Sequence, residues 1–227
     1  MFLRFTAMFT TCAAMGMVNP LVLAQTAQPS DAALHAQDKN ADESDFEPIF
    51  DGQSFAGWHG NREWFRIEDG AIVAGSLDRS IPRNEFLRTD RQYGDFELRL
   101  QFKLLGRNPN AGVQFRTREI PGDHEVVGYQ ADLGPGWYGC LYDESRRRKI
   151  LAGPPAEKRN DPIRENDWND YRIRCTGARI QLWINGVQTV DYTESDESIP
   201  QTGIIAVQVH SGAPMEAHYR EIRLKPL

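Results

Sequence analysis

The sequence predicts an all-β protein built as a two-sheet sandwich, and three observations carry that reading. Short segments alternate apolar and polar residues, as in Phe96-Glu97-Leu98-Arg99-Leu100-Gln101-Phe102-Lys103-Leu104, the period-two signature of a half-buried strand. Gly, Pro, Asn and Asp punctuate these segments at turn spacing, with Asp69-Gly70 and Asn185-Gly186 each between two apolar runs. No stretch repeats its apolar residues at helical spacing, which argues against an α/β fold.

Taken in order, Met1 to Ala24 reads as a secretory signal. Arg4 supplies the positive start, an apolar run follows, and Val22-Leu23-Ala24 is a small-residue cleavage site. Asn19-Pro20 interrupts the run, so the segment is a poor membrane anchor, and no later run is long enough to span a bilayer. Residues 25–45 are rich in Ala, Gln, Asp and Ser and have little to bury, which predicts a disordered leader. The domain then occupies 46–227. Trp64 to Ile67 and Ala71 to Ala74 form one hairpin about Asp69-Gly70, and Ile180 to Ile184 and Val187 to Tyr192 a second about Asn185-Gly186. Tyr171 to Cys175 and His218 to Leu224 alternate as further strands. Leu98, Leu100, Phe102, Val113, Phe115, Ile173 and Ile205 are the expected inward residues, and Trp168 and Trp183 are read as core.

The net charge of −6 excludes a polyanion such as nucleic acid as the expected partner. Arg146-Arg147-Arg148-Lys149 is the one basic run and reads as a solvated loop. Cys140 and Cys175 are the cysteines beyond the signal. Export would permit them to pair, and two separate buried thiols fit equally well. The signal places the protein in the periplasm or outside the cell.

Side chains of a strand alternate between faces. In Asn110 to Arg116 this puts Gln114 and Arg116 on one face, opposite Val113 and Phe115. In Gly128 to Asp132 it pairs Gln130 with Asp132, and in Ile204 to His210 it pairs Gln208 with His210. Three strands thus each present two sugar-sized polar groups, which predicts a polar cleft on one sheet.

The order of these pieces resembles the 3-keto-disaccharide hydrolase family. The matching residues are Ile49 to Trp58, Trp64 to Gly70, Tyr93 to Leu98, Asn110 to Arg116 and Gly128-Tyr129-Gln130, then Asp167 to Asn169, Trp183 to Gly186, Gly203 to His210 and Tyr219 to Ile222. The resemblance spans 46–227 and implies a concanavalin A-like jelly roll acting on sugars oxidised at C3. Many members carry a Glu two residues before the Gln of the third strand, where this chain has Gly128, with Glu125 and Asp132 as nearby acids.

A C3 ketone acidifies the C2 hydrogen, so a general base can remove it while the C1 glycosidic oxygen leaves; hydration then completes a net hydrolysis. His210 suits the base because imidazole titrates near neutrality, with Asp132 or Glu125 as the alternative. Arg116 is the expected cation for the developing enolate. Gln114, Gln130 and Gln208 can donate to and accept from hydroxyls. Tyr129, Trp137, Tyr138 and Tyr142 are expected beside the sugar. No cofactor is required by this chemistry, and a divalent metal on Asp132, Glu125, His124 or His210 stays open. The reading from another class is a lectin-like module with no catalysis, since one fold hosts both.

Overall fold

The computed structural model describes residues 43–227, so the expected signal and all but the end of the expected leader lie outside the described residues. Glu43–Asp45 form a single 3-10 turn, and the Asp45 carboxylate accepts from Lys225 Nζ at 2.5 Å.

Fifteen strands follow among the described residues. They begin with β1 (Glu47–Pro48), β2 (Trp58–His59), β3 (Phe65–Glu68), β4 (Ala71–Ser76) and β5 (Glu85–Tyr93). Next come β6 (Phe96–Gly106), β7 (Ala111–Glu119), β8 (Val126–Leu133), β9 (Leu141–Glu144) and β10 (Ile150–Ala152). The last are β11 (Asn169–Thr176), β12 (Arg179–Ile184), β13 (Val187–Thr193), β14 (Gly203–Val209) and β15 (Met215–Pro226). An eight-stranded sheet runs β13-β12-β11-β6-β15-β4-β3, with β1 paired to β15. A seven-stranded sheet runs β10-β9-β8-β7-β14-β5-β2, and all ladders are antiparallel. This is the jelly-roll sandwich that the alternation predicts.

Its core lies between the sheets. Leu98, Leu100, Phe102 and Ile173 meet Val113, Phe115 and Ile205, all buried in one cluster. Both expected hairpins form, with positive φ at Asp69-Gly70 and at Asn185-Gly186. Cys140 and Cys175 are buried free thiols, each pushed up by burial, to about 11 and about 12. Of the two tryptophans read as core, Trp183 is buried, at the outward phase of β12, and Trp168, just before β11, is only partly buried. Trp183 lies under the Arg172 guanidinium, 3.7 Å from its ring centre, and Trp168 under that of Arg220 at 3.9 Å, cations covering both indoles.

A bulge on β7 sets the geometry of the other sheet. Phe115 pairs with Tyr129 and Arg118 with Val127, so Arg116 and Thr117 together stand opposite Gly128. Arg116 takes φ 46° and Thr117 slides onto the face of Gln114, with its hydroxyl 3.1 Å from Gln114 Oε1. A side chain at Gly128 or Gly203, on the strands either side, would collide with this bulge. Arg116 is thereby turned away from Gln114. Its Nε donates to the Gly94 carbonyl at 3.1 Å, Nη1 to the Gly177 carbonyl at 2.6 Å and Nη2 to Asp95 at 2.7 Å. These acceptors lie in the β5–β6 and β11–β12 turns, so the guanidinium ties the two sheets together at one end of the sandwich.

The basic run also has a structural part. Arg146 Nε bonds the fully buried Asp143 at 2.9 Å, and Arg147 bonds both Asp143 and Glu194. Only Arg148 and Lys149 of that run are exposed.

Arg116→Lys keeps the charge but not the fork that serves three acceptors. Urea titration should show stability lower by roughly 1–2 kcal/mol, because partly buried carbonyls lose their donors. Unchanged stability would refute the tie.

Candidate functional site

The outer face of the seven-stranded sheet carries a directed chain of polar groups. Gln114 pairs with Gln130 across β7 and β8, and Gln130 lies two residues from Asp132 on the same face. Gln114 Nε2 donates to Gln130 Oε1 at 2.5 Å, and Gln130 Nε2 donates to Asp132 Oδ1 at 2.5 Å. With Thr117 beside Gln114 Oε1, each amide has its oxygen served from one side and its nitrogen spent on the next. An acceptor oxygen must end such a chain, and Asp132 Oδ1 is one. Gln114, Gln130 and Asp132 are all buried.

Gly112 makes this packing possible. It sits between Asp132 on β8 and Gln208 on β14, and a Cβ there would strike the Gln130 side chain. Gln130 folds into the space over Gly112 to reach Asp132. Behind the same row Tyr219, from the opposite sheet, donates its hydroxyl to the Gln208 carbonyl at 2.6 Å, with the Gly112 carbonyl at 3.3 Å. Asp132 and Gln208 stand two strands apart, about 10 Å by ordinary sheet spacing.

Gln208 is fully buried, and neither atom of its amide has a protein partner. His210 follows just past the end of β14, half-buried, with its backbone N–H donated to the Asn110 carbonyl at 3.1 Å. Its Nδ1 lies 2.8 Å from the Ser211 carbonyl oxygen. A carbonyl only accepts, so Nδ1 carries the proton and Nε2 of the neutral ring holds the lone pair.

Burial pushes the Asp132 carboxyl up to about 8, with a smaller push from Glu144; the Gln130 hydrogen bond and the Arg159 charge oppose it. Glu144, paired with Gly128 across β8 and β9, is pushed up to about 7, by burial first and then by Glu125. Asp132 therefore holds its proton near neutrality.

The face carries Gln114, Gln130, Asp132 and Gln208, and His210 stands just past the end of β14. Tyr142, paired with Gln130, and Trp137, edge-on to Tyr142 at 6.2 Å, stand at one side. Glu125 stands at another, taking a bond from Asn84 Nδ2 at 3.2 Å. Three expected residues are elsewhere. Arg116 is the sheet tie described above. Tyr129 points into the core, stacked on Phe115 at 5.9 Å with its hydroxyl on Glu194. Tyr138 is buried against Phe102. The bulge accounts for Arg116 and strand phase for Tyr129, while Tyr138 lies in the turn between β8 and β9.

Sequence reasoning missed Arg88, Glu144 and Thr117. Arg88 is buried on β5 two residues from Phe86, whose ring packs with Val126 and Ala206. It donates to the Phe86 and His124 carbonyls, while its Nε has no partner and burial lowers its pKa. Alternation in Glu85-Phe86-Leu87-Arg88 was the available signal. Gly128 leaves no room for a side chain, and Glu144 brings a carboxylate alongside from the neighbouring strand. Among the described residues no three His, Cys, Asp or Glu side chains are grouped to hold a metal ion. Cavities of about 480 Å³ open beside Arg116, Tyr129 and Glu194 and beside Pro154, Pro155 and Val187. Neither includes a residue of the polar chain.

Comparison with known proteins agrees with this architecture. Residues 45–225 match the family described as 3-keto-alpha-glucoside-1,2-lyase-like domain, and the chain belongs to that carbohydrate-active family. No curated protein matches it in sequence. Among solved structures it is similar to a protein of Parabacteroides distasonis ATCC 8503 that carries a glycosyl-hydrolase name, at 18% identity and TM-score 0.60, covering 80% of this chain and 94% of that one. It is also similar to the carbohydrate binding module CBM66 from Bacillus subtilis, at 14% identity and TM-score 0.58, covering 74% and 95%. A third likeness is to the Bacillus licheniformis beta-glucanase, at 15% identity and TM-score 0.53, covering 80% and 97%. These likenesses establish the fold alone. No helix among the described residues is long and apolar enough to cross a membrane.

The raised acid has a stability signature. In the unfolded chain Asp132 ionises near 3.8, in the fold near 8, so between those values the fold binds the extra proton. Stability falls as pH rises wherever the folded state holds more protons. Asp132→Asn, which still accepts from Gln130, should flatten that fall between about pH 4 and pH 8. Melting curves across that window should converge at low pH and part at high pH; parallel curves would mean that Asp132 ionises normally.

Proposed function

We propose that the protein is an exported enzyme that cleaves 3-keto-glycosides by elimination followed by hydration. The observation that supports the reading is a carboxyl at Asp132 that burial holds protonated, on the same sheet as the strand that leads into His210, whose Nδ1 faces the Ser211 carbonyl. Family membership supplies the substrate class.

In this mechanism His210 Nε2 takes the C2 proton, and the electron pair forms the C1=C2 bond while the C1–O bond breaks. Asp132 gives its proton to the leaving oxygen. Arg88, a buried guanidinium with an unpartnered Nε–H, replaces Arg116 as the cation facing enolate charge at O3. Water then adds across C1=C2, returning a proton to C2 and leaving hydroxyl at C1. The unpartnered Gln208 amide supports hydroxyl recognition, and Trp137 and Tyr142 offer flat apolar walls. The 3-keto-sugar and free aglycone are the products.

The test is incubation of the pure full chain with a 3-keto-glucoside, with and without chelator, following aglycone release. His210→Ala is expected to lose roughly 10²–10⁴-fold in kcat with the fold retained, the usual contribution of a general base. Arg88→Met should lower kcat by about 10² or more, as for a lost oxyanion donor. Binding of the ketosugar without release from any such glycoside, metals supplied, would leave a lectin-like module instead. A fully active His210→Ala would move the base to Glu144 or Glu125.

A further inference from the structure

An acid that protonates a leaving oxygen also fixes where the leaving group lies. The oxygen must come within about 3 Å of the acid, so the first atoms of the aglycone fall beside the same carboxyl. Asp132 stands near the end of β8, and the chain turns there at once. Its backbone N–H donates to the Cys140 carbonyl at 2.9 Å, and the Gly139 N–H donates to the Asp132 carbonyl at 3.2 Å. Gly134 to Cys140 thus form a turn closed on the acid, and the chain returns as β9.

That turn and the returning strand supply two aromatic rings. Trp137 sits on the turn and is 41% exposed, the one exposed aromatic side chain among the described residues. Tyr142 pairs with Gln130 across β8 and β9, which puts it on the face of Asp132, about 8 Å away by ordinary sheet spacing. Its hydroxyl is pushed up by burial first, then by the Glu144 and Asp132 carboxyls. The two rings stand 6.2 Å apart at 84° and form a right-angled corner. A third ring can lie on one face there and meet the other edge-on, the two arrangements that aromatic pairs prefer.

The polar side chains that hold the turn are engaged with its backbone. Asn160 Oδ1 accepts from the Gly136 N–H at 3.0 Å, and Arg159 Nη1 donates to the Gly136 carbonyl at 2.9 Å. The turn also adjoins the cavity of about 480 Å³ whose walls include Pro154, Pro155, Pro162 and Val187, because Gly153 of that lining packs on Cys140. The corner therefore offers ring faces. The unpartnered Gln208 amide is on β14, beyond Asp132 on the other side.

Taking Asp132 as the acid of the proposed reaction, on which the inference rests, we propose that the Trp137–Tyr142 corner is the aglycone subsite and takes a flat aromatic ring. The substrates are then 3-keto-glycosides of phenols and arylalkyl alcohols rather than of a second sugar. The sugar lies towards β14 and the aglycone over β9, with the glycosidic oxygen between them at Asp132.

Turnover of the full chain on three 3-keto-glucosides tests this: those of 2-phenylethanol, of ethanol, and of glucose through its 4-hydroxyl. The two simple alcohols are nearly equal in acidity, so a difference between them reports binding of the ring and not ease of departure. kcat/KM for the phenylethyl glycoside should exceed that for each of the others by about tenfold or more. Trp137→Ala should shrink that preference to within about threefold, and Trp137→Phe, which keeps a ring, should retain most of it. Leu77→Ala, at a position 48% exposed in another part of the chain, should leave the ratio within about twofold. Free 2-phenylethanol should compete with the substrate at concentrations at least about tenfold below those at which glucose does. Melting curves check the variants; should Trp137→Ala not fold, the competition on wild type decides. Equal kcat/KM for the phenylethyl and ethyl glycosides, a faster disaccharide, glucose competing as well as 2-phenylethanol, or a preference that survives Trp137→Ala would each overturn the subsite and leave the cleavage reading standing. Release from none of the three would end that reading and the subsite with it.

Discussion

The bulge at Arg116–Thr117 is the constraint on which the polar face depends. Without it, strict alternation would continue from Gln114 to Arg116, and a guanidinium would stand beside the amide chain. Two residues opposite one resets the phase, so Thr117 joins Gln114 and Arg116 leaves for the sandwich end. The extra residue crowds both neighbouring strands, and glycine at 128 and at 203 relieves that crowding. The same glycine removes any acid from position 128, which makes the Glu144 carboxylate on the next strand the nearest equivalent. One backbone irregularity thus fixes which cation braces the sheets, which hydroxyl begins the polar chain and which strand supplies an acid.

Once started, the chain has little freedom. An amide buried on a sheet needs both of its ends satisfied, and a half-satisfied network is costly. Gln114 and Gln130 meet this by donating in one direction towards Asp132. Burial then holds a proton on that carboxyl near neutrality, against the Gln130 hydrogen bond that favours the anion. Gln208 stands two strands away, equally buried but with neither amide atom partnered, so the chain is satisfied at one side of the face and unsatisfied at the other.

How much of this was legible follows from where period two holds. Leu98, Leu100, Phe102 and Ile173 could be placed inside, and Gln130, Asp132 and Gln208 on one outer face, because β6, β8, β11 and β14 keep their phase through those residues; His210 falls just past the end of β14. Arg116 could not be placed, since nothing local distinguishes a bulge in Asn110 to Arg116; the signal is Gly128 and Gly203 on other strands, far off in sequence. Tyr129 is a different case, because alternation itself puts it opposite Gln130, and the core stack on Phe115 follows that phase. Trp168 was misread for a third reason, and Trp183 is buried by other means than the apolar packing that was expected. Large aromatic rings are usually covered by apolar neighbours, and here arginines from other strands cover them. Cross-strand register decides that, and register is invisible until the strands are paired.

The two outer faces solve the burial problem in opposite ways. On the seven-stranded sheet, amides and carboxyls are packed so tightly that an acid cannot ionise at its usual pH, which suits proton transfer to a bound substrate. On the eight-stranded sheet, guanidiniums lie over aromatic rings, Arg172 on Trp183, Arg220 on Trp168 and Arg99 on Phe46, so that cation and ring cover one another and the charge is retained.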